Sequence, residues 1–270
     1  CLIVKNEEEF FDRALQSVRG VAAQIVVVDT GSTDSTVKIA QDNGAEIYHH
    51  AWNDNFSAAR NAGLVHARGD WLLILDADEE LTAGAAECLR REMNDSNALA
   101  YQLPLVNKGR EQEGCVYLPR LFRNLPGVHY EGKVHEQLLP AILNKTREWG
   151  LRVLSSSATL LHHGYTDEVT AKRNKPERNL RLLVQAVNEC KGDTAARAYL
   201  LMNLGLETVR TGKLTDGLAH YREAAGLLDG EIRKGNARIS EEFRATILQQ
   251  YATYLTRAGQ FNEVLALYET

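Results

Sequence analysis

The 270-residue chain is long enough for one sizeable domain and a smaller one. With 44% hydrophobic and 25% charged residues it has the make-up of an ordinary globular protein, and a net charge of −5 without a Lys/Arg run argues against nucleic acid as its partner. Four scattered cysteines, Cys1, Cys88, Cys115 and Cys190, form no CxxC pair, which excludes a zinc ribbon or a disulfide framework and points to a reducing, cytoplasmic setting.

No apolar stretch reaches the roughly 18 residues of a membrane span; a local basic patch leaves peripheral membrane contact open. The chain starts at Cys1 inside an apolar run without an initiator Met, so a few native residues are expected to be missing, and a signal segment stays open.

The first half alternates strand and helix signals. Leu2-Ile3-Val4 reads as a buried strand, followed by a helix with Phe10, Phe11, Ala14, Leu15 and Val18 on its inward face and Gly20 at its end. Ile25 to Val28 is a continuous β-branched run, as for a strand covered on both faces. The polar turn Asp29 to Asp34 leads into a helix that stops at Gly44, and Glu46-Ile47-Tyr48 forms a third strand. A helix from Ser57 to His66 ends at Gly69, and Trp71 to Leu75 is the fourth strand. This β-α-β-α-β-α-β order predicts an α/β fold with a mostly parallel, Rossmann-like sheet and helices on both faces. Such sheets bind ligands at the carboxyl ends of their strands, so Lys5 to Glu7, Asp29 to Asp34 and Asp76 to Glu79 should converge on one edge.

From Leu99 to Leu161 the pattern changes to isolated strands between loops, with Val116 to Leu118, Leu121-Phe122 and Thr159 to Leu161 as strand pieces. Beyond Asp167 it is helical. Leu201, Leu204-Gly205, Gly212, Tyr221 and Ala224 stand at tetratricopeptide spacing, and Leu248, Tyr251-Ala252, Gly259 and Tyr268 form a second copy. Gly212 and Gly259 mark the turns within each helix pair, further apart than the ~34 residues of the usual repeat. The excess fits a charged insertion around Glu231 to Glu241. An irregular helical bundle is the alternative. The expected domains are 1–166, α/β, and 167–270, all-α; two repeats should need to dock on the first domain or continue beyond Thr270.

Asp76-Ala77-Asp78 directly follows an apolar strand. Paired carboxylates there need a positive partner, and Mg²⁺ or Mn²⁺, hard ions that bind oxygen and substrate phosphates, would supply one. Acidic pairs also end strands as helix caps, although Thr82 is available to cap the next helix. In Val27-Val28-Asp29-Thr30-Gly31-Ser32-Thr33-Asp34, Gly31 permits a tight turn and Asp29 is suited to accept hydrogen bonds from a base or a ribose. A plain N-cap by Ser32, Thr33 or Asp34 is compatible with that role.

Together, Ile3-Val4-Lys5-Asn6-Glu7-Glu8, Val28 to Asp34, Ser57-Ala58-Ala59-Arg60-Asn61, and Gly69-Asp70-Trp71 leading to Asp76-Ala77-Asp78-Glu79 closely resemble the family 2 glycosyltransferases in order and spacing. The resemblance implies the GT-A fold, a nucleotide-diphosphate sugar donor (UDP-linked), a divalent cation and inversion at the anomeric carbon. It assigns Val4 to Glu7 to the nucleotide pocket, Asp29 to the base or ribose, and Arg60 to the base or diphosphate. Asp76 would contact ribose or metal, and Asp78 the metal. Thr30 stands where many members have a second Asp. Gly132-Lys133-Val134-His135-Glu136 and Leu161-His162-His163-Gly164-Tyr165 look like a subgroup with peptide S- or O-glycosyltransferases and lipopolysaccharide-core enzymes, whose catalytic domain often precedes tetratricopeptide-like helices.

An inverting transfer needs a base for the acceptor's proton. Glu136, where the family usually supplies a carboxylate, is the candidate; His135 is the alternative base or an acceptor-positioning group. His162 is suited to complete the metal site. A structural His-Glu pair on a loop, and a core or solvated His162-His163 pair, are the plain alternatives. Tyr48 and Trp52 are expected to pack under a loop rather than stack on a sugar, and Arg90, Arg91 and Glu92 to form a solvated helix face. Arg120 and Arg123 flank an apolar strand within reach of a diphosphate, and Lys172, Arg173 and Lys175 form a small basic cluster. A nucleotidyltransferase would share the sheet but should carry a glycine-rich loop where this chain has Lys5-Asn6-Glu7-Glu8. A non-catalytic nucleotide-binding scaffold is the third reading. The acceptor is expected to be a peptide, protein or saccharide, and the repeats also offer a route to homo-oligomers.

Overall fold

The apolar runs become strands because each is covered on both sides. In a computed structural model, which describes residues 1–164, 175–233 and 241–268, β1 (Leu2–Val4), β2 (Val26–Asp29) and β3 (Glu46–His49) form a parallel sheet in the order β1-β2-β3. The connecting helices are α1 (Phe11–Val18), α2 (Thr36–Asp42) and α3 (Phe56–Leu64), as the pattern predicts. Val27 packs with Phe11, Leu15 and Ala40 on one face. On the other, Gly63 of α3 lies so close to β2 that a Cβ there would meet Val28 Cγ2 at 3.0 Å.

β4 (Trp71–Leu73) continues the sheet beside β1: the Cys1 nitrogen donates to Leu73 O (2.8 Å) and Leu75 N–H donates to Cys1 O (3.3 Å). The next sheet is mixed rather than parallel. It runs β4-β7-β6-β9-β5, with β5 (Glu79–Leu81), β6 (Ala98–Asn107), β7 (Cys115–Arg123) and β9 (Leu160–His162), and β8 (Arg152–Ser155) pairing with β6. β4/β7, β6/β7 and β5/β9 are antiparallel.

Three elements depart from the sequence pattern. The acidic Glu79-Glu80 segment is a strand, because Leu81 and Glu79 pair with Leu160 and His162. The loop-like stretch after Gln137 contains α5 (Leu139–Trp149), which opens with Pro140 in its first turn and buries Ile142 against Leu72, Leu99 and Phe122. Thr82 does not cap α4 (Ala85–Glu92); its hydroxyl donates to Thr159 O (3.1 Å), and Gly84, at φ 80°, stands at the cap. Glu92 is not merely solvated, since it accepts from Ser156 Oγ (2.7 Å).

The chain divides into two compact units, Cys1–Arg173 and Asn174–Thr270. The expected boundary at 166/167 falls outside the described residues, as do Tyr165, Lys172 and Arg173; of Lys175, only its place at the start of the next helix is described. The second unit holds α6 (Lys175–Glu189), α7 (Thr194–Arg210), α8 (Leu214–Arg233), α9 (Glu241–Arg257) and α10 (Phe261–Tyr268). Gly212 (φ 87°) and Gly259 (φ 71°) turn the chain between α7 and α8 and between α9 and α10, as the repeat spacing predicts. Among the described residues no helix is long and apolar enough to cross a membrane.

α7 and α8 meet through glycines. A Cβ at Gly205 would stand 2.9 Å from the fully buried Tyr221 ring and 3.1 Å from Gly217 O, neither of which can yield easily. Gly226, on α8, has open space. Gly205→Ala is therefore expected to destabilise the helical unit by about 1–3 kcal/mol. Gly226→Ala should stabilise it by up to about 1 kcal/mol through helix propensity. Denaturant unfolding followed by circular dichroism compares the two; equal effects would show that the helix contact is not tight.

Candidate active site

Three strand-end clusters meet at the carboxyl edge of the sheet. The loops after β1 and β2 are stitched together by hydrogen bonds: Asn6 N–H donates to Ser32 Oγ (3.0 Å), Thr33 N–H to Asn6 Oδ1 (2.8 Å), and Glu7 N–H to Thr36 Oγ1 (2.8 Å). Asp34 Oδ1 accepts from Thr36 N–H (3.0 Å), so it serves a first-turn amide of α2. Thr30 N–H and Oγ1 both donate to Val4 O (3.0 and 3.1 Å), which ties Thr30 to β1.

Asp29 is buried at the end of β2 and accepts from Ser32 N–H (3.0 Å) and Gly31 N–H (3.2 Å), with His49 Nδ1 at 3.2 Å. Burial alone would raise its pKa, but these hydrogen bonds outweigh that and hold the carboxyl below its usual range. It is an ionised acceptor at neutral pH.

α3 organises the opposite wall. Asn55 caps it by accepting from Ala58 N–H (3.0 Å), and Phe56 N–H, another amide of the first turn, donates to Lys133 O (2.8 Å). Ser57, Arg60 and Asn61 share one face of the helix. Ser57 Oγ donates to Gly132 O (2.5 Å), and Asn61 holds Tyr130 by both its amide ends (2.9 and 2.8 Å). Paired backbone bonds between Glu131 and Gln137 (2.9 and 2.8 Å) close the loop that carries His135 and Glu136. His135 sits in the left-handed region at φ 50°, unusual for a residue with a side chain.

Arg60 lies across this wall. Its Nε donates to Glu136 Oε1 (2.6 Å), its Nη2 donates to Asp76 Oδ1 (2.8 Å), and its guanidinium carbon stands 5.3 Å from the Tyr130 ring centre. The other Asp76 oxygen accepts from Arg120 Nη2 (2.7 Å), which also donates to Glu79 Oε1 (2.5 Å). Burial alone would raise Asp76, yet the Arg120 and Arg60 charges hold it well below the usual carboxylate range. Burial pushes Glu79 up to about 7 against the pull of Arg120. Thus both oxygens of Asp76 are taken by guanidiniums.

Asp78 is set apart from that network. It is buried at 6% exposure, and His162 Nε2 lies 3.5 Å from its Oδ1. His162 Nδ1 is 3.0 Å from Asn107 Oδ1, so the imidazole is held between Asn107 and Asp78. Gly164 permits this approach: a Cβ there would meet Asp78 Oδ2 and stand 2.9 Å from His162 Nε2. Among the described residues no group of three or more His, Cys, Asp and Glu side chains stands as a ready-made metal cage.

The remaining candidates fall elsewhere. His163 is buried, stacks on Phe10 (5.6 Å) and lies 3.0 Å from Glu80 Oε1. Tyr48 stacks on His66 and Trp52 packs edge-on to Phe56, so both pack within the fold. Arg123 covers Trp71 and donates to Ala98 O (2.8 Å). An apolar cavity of about 500 Å³, lined by Val18, Ile25 and Trp71 among others, lies at the opposite, amino ends of the strands and holds none of the clusters.

The sequence reading gives Glu79, Asn61 and Tyr130 no role of their own, and offers Arg120 to a diphosphate, whereas here it holds Asp76 and Glu79. Removing Arg120 leaves Asp76 and Glu79 without their shared cation. Arg120→Met is expected to lower the stability of the α/β unit by about 3–5 kcal/mol, the usual consequence of breaking a buried pair. Denaturant titration measures it; a loss below about 1 kcal/mol would mean that solvent already screens the network.

Residues 1–163 match the family model for glycosyl transferase family 2. A TPR repeat-containing protein of Synechococcus elongatus is 35% identical over 79% of this chain and 53% of its own length. The SPbeta prophage-derived glycosyltransferase SunS of Bacillus subtilis is 29% identical over 67% of this chain and 43% of its own. The chain thus spans about half the length of the curated relatives it matches. Among solved structures, S. aureus TarS 1–349 in complex with UDP-GlcNAc superposes with a TM-score of 0.55 at 14% identity, covering 99% of this chain and 89% of that one. The mannosyltransferase PcManGT from Pyrobaculum calidifontis, in complex with GDP-Man and Mn²⁺, superposes with a TM-score of 0.52 at 17% identity, covering 97% and 85%. At such identities the superpositions carry the fold, which is GT-A, and the family model carries the membership: this chain belongs to glycosyl transferase family 2.

Proposed function

We propose that this chain transfers a sugar, with inversion, from a UDP-linked sugar to a peptide, protein or saccharide acceptor, using Mn²⁺ or Mg²⁺. The observation that carries this reading is the single edge at which Asp29, Asp76, Asp78 and the loop bearing Glu136 converge. Asp29, ionised and backed by the loop amides, is suited to accept from a uracil N–H or a ribose hydroxyl. Val4 and Glu7 line the same loop pair.

The pair Asp78 and His162 suits a hard, partly nitrogen-tolerant cation such as Mn²⁺. The approach of His162 Nε2 to Asp78 and the room left by Gly164 support this, and Asn107 holds the imidazole as outer partners do in metal sites. When bound, such an ion neutralises charge on a departing diphosphate. Asp76, held by two arginines, is better suited to a ribose hydroxyl than to the metal.

In the transfer, the acceptor oxygen or sulfur attacks the anomeric carbon from the face opposite the nucleotide. The bond to the β-phosphate oxygen breaks, and Glu136 takes the acceptor's proton at Oε2, because Oε1 is held by Arg60. His135, at a left-handed φ beside Glu136, is the residue we assign to positioning the acceptor. The helical repeats favour an extended acceptor, and four free cysteines agree with a cytoplasmic setting.

A panel of nucleotide sugars, with Mn²⁺, with Mg²⁺ and with chelator, tests the reading through nucleotide release. One donor should turn over only with metal, and Asp78→Ala should abolish turnover; binding of UDP and GDP by neither protein would sink the proposal. A separate test reads the metal without turnover. Gly164→Ala should weaken Mn²⁺ binding about 10-fold or more, followed by Mn²⁺ electron paramagnetic resonance, with the melting temperature as the control on folding. Unchanged Mn²⁺ affinity would place the ion elsewhere.

A further inference from the structure

Arg60 touches two groups with different tasks. On one side it binds Asp76, at the end of β4 where the donor is proposed to lie; on the other it binds Glu136, the proposed base. The two carboxylates come from segments 60 positions apart in the chain, and the Arg60 guanidinium bridges them. The Arg60 side chain is only 11% exposed, and the Tyr130 ring beneath its guanidinium limits where it can go. Asn61, the next residue, fixes Tyr130, while Ser57, one turn earlier, fixes Gly132, so both hold the segment that leads into the loop.

We propose that Arg60 is a positioning residue, and that α3 serves to hold the base loop at a set distance from the donor side of the site. This rests on the assignment of Glu136 as base. Arg60 Nε takes one oxygen of Glu136 and thereby fixes the direction of the other, Oε2, toward the acceptor. Arg60 Nη2, bound to Asp76, fixes Arg60 itself. The base is thus registered against the strand end rather than against its own loop, whose backbone includes the strained His135. A misplacement of about 1 Å in such an arrangement costs on the order of 10²-fold in rate. Arg60 takes no part in bond making: the proton goes from acceptor to Glu136, and the nucleotide leaves with the bonding electrons.

Hydrolysis of the donor sugar, with water as acceptor, tests this with the whole chain. Water's proton also goes to Glu136, and nucleotide release reports turnover. The variants are Arg60→Gln, Arg60→Lys and Glu136→Gln, each checked by thermal melting. Arg60→Gln should lower kcat about 100-fold while the Kd for the free nucleotide diphosphate, measured by calorimetry with Mn²⁺, moves less than about threefold. Arg60→Lys keeps the charge but lacks the fork that reaches two carboxylates, so it should recover part of the loss.

If Arg60→Gln fails to fold, Arg60→Lys decides alone, with kcat down about 10-fold at unchanged Kd expected. Nucleotide affinity falling in step with kcat would overturn the inference and make Arg60 a diphosphate ligand. Unchanged kcat, with Glu136→Gln inactive, would overturn it and leave the base assignment standing. Full turnover by Glu136→Gln would overturn both.

Discussion

A carboxylate at the end of a buried strand has to be matched by a cation, and the site is arranged around how this chain does so. Asp76 follows β4, and its two oxygens are met by two guanidiniums from different elements, Arg60 on α3 and Arg120 on β7. Taking either carboxylate or guanidinium out of water alone would cost several kcal/mol. Together they form a chain, Glu136–Arg60–Asp76–Arg120–Glu79, in which every charge has an opposite neighbour. That chain joins the parallel part of the sheet to the mixed part, and it ties the loop bearing Glu136 to both.

The network divides the acidic motif into two unlike residues. Asp76 is saturated by arginine, whereas Asp78 faces His162 across 3.5 Å with Gly164 against its other oxygen. Two carboxylates separated by one residue point in different directions here because the chain turns between β4 and β5, and Asp78 is anchored by His163 N–H donating to its carbonyl (2.8 Å). The histidine pair divides in the same way. His162 faces the acidic turn, and His163 goes into the core against Phe10. Alternation along an extended chain sends adjacent side chains to opposite sides.

The motif Ser57-Ala58-Ala59-Arg60-Asn61 shows what a short helix can do for a site. Ala59 is fully buried and Gly63 touches β2, so the inner face can only be small. The other face carries three polar side chains that all reach one segment, residues 130 to 136. A loop has little to hold it in place by itself. Here the helix N-terminus and these side chains supply hydrogen bonds that anchor it.

Much of this was legible in the sequence. Alternating β-branched runs and amphipathic helices with closing glycines determined β1 to β3 and α1 to α3, since local periodicity reports burial directly. The rule that ligands gather at strand ends located Asp29, Asp76 and Asp78 on one edge, and the repeat glycines located the turns between α7 and α8 and between α9 and α10. What the tertiary structure alone decided was pairing at long range. Glu79–Leu81 is a strand only because β9 offers it partners, and α5 is a helix in a segment whose apolar pattern is short. Arg60 meets Glu136 across 76 positions, and Arg120 reaches Asp76 because Ile74 N–H donates to its carbonyl (2.7 Å) and sets the register. Those contacts depend on strand order and register, which are settled by the packing of the whole sheet and leave no mark in any one stretch of sequence.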